Sequence, residues 1–268
     1  MSLHPAKKEA IQLFKVWSHG RIGDECFPVD CCAIATELGI RVEPCDVGDD
    51  FQGCLLIDGS LKAILYNDSL PEVGRQNFTI GHELGHYCLH RDRKEIRCSA
   101  EDIENFGGAP HGDDIEREAN IFASNLLMPA SDIRQQAAAA KTCNLDLTVK
   151  LASRYHTSLT ATACRLVEVS TKPCAVVMVS NKNRILWGWG NTHFHKFFAA
   201  KGADLNPLQH SYEGLRLTRG DQPVLCPENW EITLSAVPLK SYGKTLLLVQ
   251  GESFEHTSEQ DPEIWTGF

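Results

Sequence analysis

The run His82-Glu83-Leu84-Gly85-His86, inside FTIGHELGHYCLH, constrains this 268-residue chain more than any other feature. Two histidines four positions apart share a face of an α-helix, so both imidazoles reach one point only if the segment is helical. Neutral imidazole is a good Zn2+ ligand, and two ligands on one rigid helix fix the angle at the ion. Glu83 lies between them, placed to take a proton from a water that such an ion acidifies. Phe78, Ile80 and Leu84 surround the motif with apolar side chains and predict a helix over 78–90. A surface helix that merely contains two histidines and a glutamate is the competing reading, and this apolar context weighs against it.

A catalytic zinc site needs a third protein ligand and an open fourth position. The segment DDIEREANIFASNLLMP predicts the next helix, over 113–127, ended by Pro129. Glu116 and Asn120 stand four apart on it, so one can ligate while the other orients a histidine. Glu118 points to another side and is the reserve ligand. Tyr66 and His90 are candidates for polarising a scissile carbonyl or holding its oxyanion, although a packed or ligand-orienting His90 is favoured. The strand Leu61–Tyr66 is expected to be an edge strand able to hold extended substrate by strand addition, with an ordinary sheet strand as the equal alternative. Residues 91–110 read as a polar loop containing Cys98. A thiolate that reached the zinc would occupy its open position and keep the site silent, so Cys98 is a candidate inhibitory or fourth ligand.

These residues carry a resemblance. FTIGHELGHYCLH followed by EREANIFASNLLMP resembles the ImmA/IrrE family of bacterial metallopeptidases. The segments ILYND and LASRYHTSLTATACRL are similar to the family's pattern as well, so the resemblance covers most of residues 1–170. It implies a gluzincin-like zinc site with His82 and His86 as ligands, Glu83 as general base and Glu116 as third ligand. It also implies a helix-turn-helix repressor as the protein substrate, cut to switch on a stress or mobile-element response. The C-terminal part resembles the GAF-like sensory module of some members. The domain order, Cys98 and an aromatic-basic segment are compatible with the CapP type, linked to phage-defence operons and stimulated by DNA.

The expected fold class is therefore α+β. A gluzincin-like zinc metallopeptidase domain would occupy 1–130 and a helix-turn-helix-like helical extension 131–170. A GAF-like α/β C-terminal domain would occupy 171–268 and end in an acidic tail. The boundary falls at Thr171-Lys172-Pro173, after which strand-like apolar runs replace helical periodicity. The helical pair over 151–166 carries only Arg154 and Arg165 as basic residues, which favours packing over DNA binding. WGWGNTHFHKFF places Trp187, Trp189, Phe194, Phe197 and Phe198 beside His193, His195 and Lys196. Such a run can stack single-stranded DNA, line a small-ligand pocket or pack a core.

Composition bounds the rest. With 43% hydrophobic and 23% charged residues the chain is globular, not disordered or coiled-coil. A net charge of −9 argues against a general nucleic-acid coat. No apolar stretch approaches the ~18 residues of a membrane helix, and the N-terminal run reads as an amphipathic helix, not a signal peptide. Eleven cysteines, an odd count without a CxxC pair, fit a reducing cytoplasm. The sequence is thus read as a cytoplasmic zinc endopeptidase. The alternative is a non-catalytic zinc-containing regulator, its zinc closed by His82, His86, Glu116 and Cys98, acting by DNA or protein binding.

Overall fold

A computed structural model describes residues 3–45, 48, 51–69, 73–93, 95–99, 114–194, 198–199, 201–202, 224–225 and 230–253. The chain divides into two units, Met1–Thr171 and Lys172–Phe268.

The first unit holds seven α-helices among the described residues: α1 (Pro5–Trp17), α2 (Cys31–Glu37), α3 (Val73–Leu89), α4 (Asp114–Leu127), α5 (Ala130–Ala140), α6 (Leu145–Tyr155) and α7 (Leu159–Val169). Four strands join them: β1 (Arg41–Pro44), β2 (Phe51–Asp58), β3 (Leu61–Tyr66) and β4 (Glu95–Ser99). Local chemistry explains most ends. Asp30 caps α2 by accepting from the Ala33 N–H, and Gly39 follows it with φ +73°. Asn144 and Ser158 cap α6 and α7 in the same way. α5 starts at Ala130 behind Pro129, with no side-chain cap. The β2–β3 hairpin turns at Gly59, φ +57°, between the paired Asp58 and Leu61.

The sheet order is β1-β3-β2-β4. This corrects two expectations. β3 is not an edge strand: β1 pairs with it in parallel on one side and β2 antiparallel on the other. The 91–110 segment is not all loop either. Residues 95–99 form β4, which closes the sheet at its edge, and the strand alternates exposed Glu95 and Arg97 with buried Ile96 and Cys98.

α3 is the central element. From Phe78 to His86 every residue is buried, with the sheet on one side and α4 on another. Glycine makes both approaches possible. A Cβ on Gly85 would lie 3.1 Å from the Ala119 Cα and 3.1 Å from the Phe122 ring, so α3 and α4 touch through their backbones there. A Cβ on Gly53 of β2 would lie 2.6 Å from the Thr79 methyl and 2.7 Å from a Glu83 carboxylate oxygen. That absent side chain is the space Glu83 occupies.

The helical pair packs inward. Of α7, residues Ala161 to Val167 are buried, and so is Val169. The Arg165 guanidinium donates to the Met128 carbonyl at 3.0 Å and to Asn125 Oδ1 at 2.7 Å, both from the α4 end. Arg154 forks onto Asp132 and lies 4.4 Å over the Phe27 ring. Arg154 and Arg165 are thus engaged inside this unit and Lys150 of α6 is exposed; the burial of α7 favours the packing reading over a DNA-reading helix.

In the second unit β5 (Cys174–Ser180), β6 (Ile185–Gly190), β9 (Trp230–Leu239) and β10 (Lys244–Ser253) form an antiparallel sheet of order β6-β5-β10-β9. A short pair, β7 (Phe198–Ala199) with β8 (Val224–Leu225), is separate. One sheet face packs Ala175, Val177, Val179, Ile185, Leu247 and Val249 around Phe194. Of the aromatic-basic run, Phe194 is thus core, Trp187 and Trp189 are half-buried and His193 is exposed. His195, Lys196 and Phe197 lie outside the described residues, as does the Phe198 side chain.

Candidate metal centre

Four side chains from three elements converge: His82 and His86 from α3, Cys98 from β4 and Glu116 from α4. Their donor atoms form the six edges of a tetrahedron. The two Nε2 atoms are 2.9 Å apart; Glu116 Oε2 lies 3.0 and 3.3 Å from them. Cys98 Sγ lies 3.4 Å from each Nε2 and 3.5 Å from Glu116 Oε2. Ordinary zinc–ligand bonds in a tetrahedron place such donors roughly 3.3–3.6 Å apart, so the cluster is only slightly tighter than a loaded site.

The hydrogen bonds around it show what the cluster lacks. Asn120 Oδ1 accepts from His82 Nδ1 at 2.9 Å, which leaves the His82 Nε2 lone pair facing inward. His86 Nε2 faces the same point, with a carboxylate oxygen and a sulfur. Lone pairs so gathered repel unless a proton or cation lies among them. Without a cation, burial pushes His82 down, but Glu116 and Glu83 outweigh it and pull its pKa up. Burial likewise pushes Glu116 up, while its bonds to His82 and His86 hold it well below the carboxylate range. A divalent cation among these donors would relieve the repulsion, and the donor set of two imidazoles, a carboxylate and a thiol suits zinc.

Two further groups fit the same reading. His86 is held near 4, chiefly by burial, and so stays the neutral imidazole that ligates. Burial, then the Glu83 and Glu116 carboxylates, push the Cys98 thiol far up, so only a cation beside it would make the thiolate.

Glu83 sits on α3 between the histidines, fully buried; neither carboxylate oxygen makes a well-formed hydrogen bond, and its nearest polar company is the Cys98 thiol, which pulls its pKa down against burial. Burial raises it from 4.5 to about 7. A carboxylate in that condition is an unusual expense for a fold and a common property of an acid-base group. Gly53→Ala tests the space beside it. The added methyl should push the carboxylate off its place, cutting any hydrolytic rate at least tenfold and destabilising the fold by about 1–3 kcal/mol. Zinc uptake should remain, because Glu83 is not one of the four donors; calorimetric melting and zinc titration read the two effects.

The other expected residues separate. His90 joins the site at its margin: its Nδ1 is 3.0 Å from His86 Nδ1 and its Nε2 is 3.0 Å from Glu118 Oε2. Glu118, the reserve ligand, is thus engaged by His90 and is not in the cluster. Tyr66 is not brought into it either. It pairs with Gly53, and its phenol is pushed up by burial and by Cys32 and Asp68, away from the donors. Cys98 meets the cluster from a strand and not from a loop; its pairing partner is Gly53, next to a bulge in β2 that begins after Phe51. Cys88 is half-buried near the end of α3. Sequence reasoning missed Gly53, whose signal was a glycine within an apolar strand.

A two-histidine helix with an acid between them, a carboxylate from the following helix and a supporting sheet define a metallopeptidase-type site. Residues 35–167 match the family model described as the IrrE N-terminal-like domain, peptidase M78. All four donors lie within the matched span. Among curated proteins none matches the chain. No helix among the described residues is long and apolar enough to cross a membrane.

Proposed function

We propose that this protein is a zinc-dependent endopeptidase of regulatory type that cuts a helix-turn-helix transcriptional repressor in the cytoplasm. The observation that carries the peptidase reading is Glu83, a fully buried carboxylate beside four converging donors and not itself one of them. His82, His86 and Glu116 would hold the ion. Zinc bound there would supply Lewis acidity, polarising a carbonyl and easing deprotonation of a water. Glu83 then takes the proton from the attacking water and returns it to the departing amide nitrogen. Asn120 keeps His82 in the tautomer that ligates through Nε2. Cys98, as fourth donor, would exclude water and hold the enzyme off until a signal withdraws it. The second unit is read as a GAF-like sensor of a stress or phage signal, with single-stranded DNA or a small ligand as its effector. The repressor as substrate, the signal and the CapP likeness rest on the family resemblance.

One observation favours a second reading. Four protein donors complete a tetrahedral shell, as in structural zinc sites, so a non-catalytic regulator acting by DNA or protein binding is the alternative. A structural site has no use for Glu83. The deciding experiment mixes the zinc-loaded chain with a helix-turn-helix repressor encoded beside it, with and without single-stranded DNA and with and without a chelator. Cleavage that needs zinc and stops with chelator supports the enzyme. An intact repressor under every condition, with zinc bound stoichiometrically, favours the regulator.

A further inference from the structure

The two ligand histidines are backed differently. His82 Nδ1 donates to a neutral amide oxygen, Asn120 Oδ1, at 2.9 Å. His86 Nδ1 instead faces His90 Nδ1 at 3.0 Å, and His90 Nε2 faces Glu118 Oε2 at 3.0 Å. The His90 side chain is 8% exposed and Glu118 34%, so the contact with His86 is sheltered while its far end reaches solvent. Proton counting orders the chain. A neutral His86 that offers Nε2 to a cation carries its hydrogen on Nδ1. His90 Nδ1 must then accept, which puts the His90 hydrogen on Nε2, where the Glu118 carboxylate accepts it. Every donor in the row meets an acceptor, and a carboxylate ends it.

The geometry points to Glu118 and His90 as a positioning relay that fixes the tautomer of His86 and strengthens it as a metal donor. The inference rests on the metal reading above but not on peptidase activity. It is a carboxylate–histidine–metal arrangement lengthened by one imidazole, and outer partners of that kind tune metal affinity by roughly 10–100-fold. The two helices supply it together. His86 and His90 are four apart on α3, and the close approach at Gly85 brings α4 near enough for Glu118 to reach His90. It also assigns unequal roles to the ligands: His86 is backed by a relayed charge and His82 by a neutral dipole.

Zinc affinity of the full chain, measured by competition with a chromophoric chelator, tests this directly. Glu118→Gln keeps an acceptor for His90 and removes the charge; His90→Phe keeps the ring volume and removes the relay. Both should weaken zinc about tenfold or more while the melting temperature of the metal-free chain stays unchanged. Nitrogen-15 correlation spectra of the imidazoles in the zinc-loaded wild type should place the His90 hydrogen on Nε2. Should His90→Phe fold poorly, Glu118→Gln at its part-exposed position still decides the matter. Zinc affinity of Glu118→Gln within twofold of wild type overturns the relay, as does a His90 hydrogen on Nδ1. A wild-type chain that takes up no zinc overturns the metal reading and the relay with it.

Discussion

Replacing Glu83 with glutamine should abolish repressor cleavage, keep zinc and make the metal-free protein more stable. Loss of a general base costs about 10²–10⁴ in rate. Zinc is retained because Glu83 is not among the four donors. The stability gain follows from burial. The carboxylate rises from 4.5 to about 7 in the folded chain, so between those values the folded state binds more protons than the unfolded one. Stability is full below pH 4.5 and is lost as pH rises toward 7. A shift of that size corresponds to about 3 kcal/mol. Glutamine is exempt from this loss, so metal-free Glu83→Gln should outlast wild type in urea above pH 7 and match it near pH 4. A variant that still cleaves, or equal stability at pH 8, refutes the role given to this residue.

The second large effect is expected at Cys98. Removal of the thiol in Cys98→Ala should release cleavage from its requirement for a stimulus. A switch held about 99:1 toward the thiol-bound state gains about 100-fold in unstimulated rate when freed. The same variant should bind zinc more weakly, having lost one of four donors, yet at the same one-to-one stoichiometry. Unstimulated cleavage equal to wild type would mean that Cys98 does not restrain the enzyme. Backbone disruption is not expected, since alanine keeps the inward-facing position of β4 beside Ile96 and an apolar contact with the sheet.

The parts of the site legible in the sequence were those set by a single helix. Two histidines at i and i+4 face one point wherever the helix lies, and the same spacing linked Glu116 to Asn120 on the next helix. Parts that depend on how elements pack were not legible. Glu118 looked like a spare ligand because its distance from His90 is decided by contact between α3 and α4. β3 looked like an edge because its partner β1 has a single apolar residue, Val42, and reaches it from about twenty residues away. β4 was hidden for a different reason. Its five residues alternate two buried with charged ones inside a polar stretch, a pattern too short to stand out. In the second unit the apolar runs marked the four long strands, but nothing local marks β10 as lying between β5 and β9.

All four donors fall between His82 and Glu116, and the unit that holds them ends at Thr171. A ribosome builds from the N-terminus, so the metal site can be complete while the following 97 residues of the second unit are still being added. At typical synthesis speeds that interval lasts about 5–20 s. On the proposed reading, an enzyme restrained only by its sensor would be unguarded on every nascent chain. A thiol inside the same short stretch as the ligands is made along with them, so the restraint proposed for Cys98 would arrive no later than the activity.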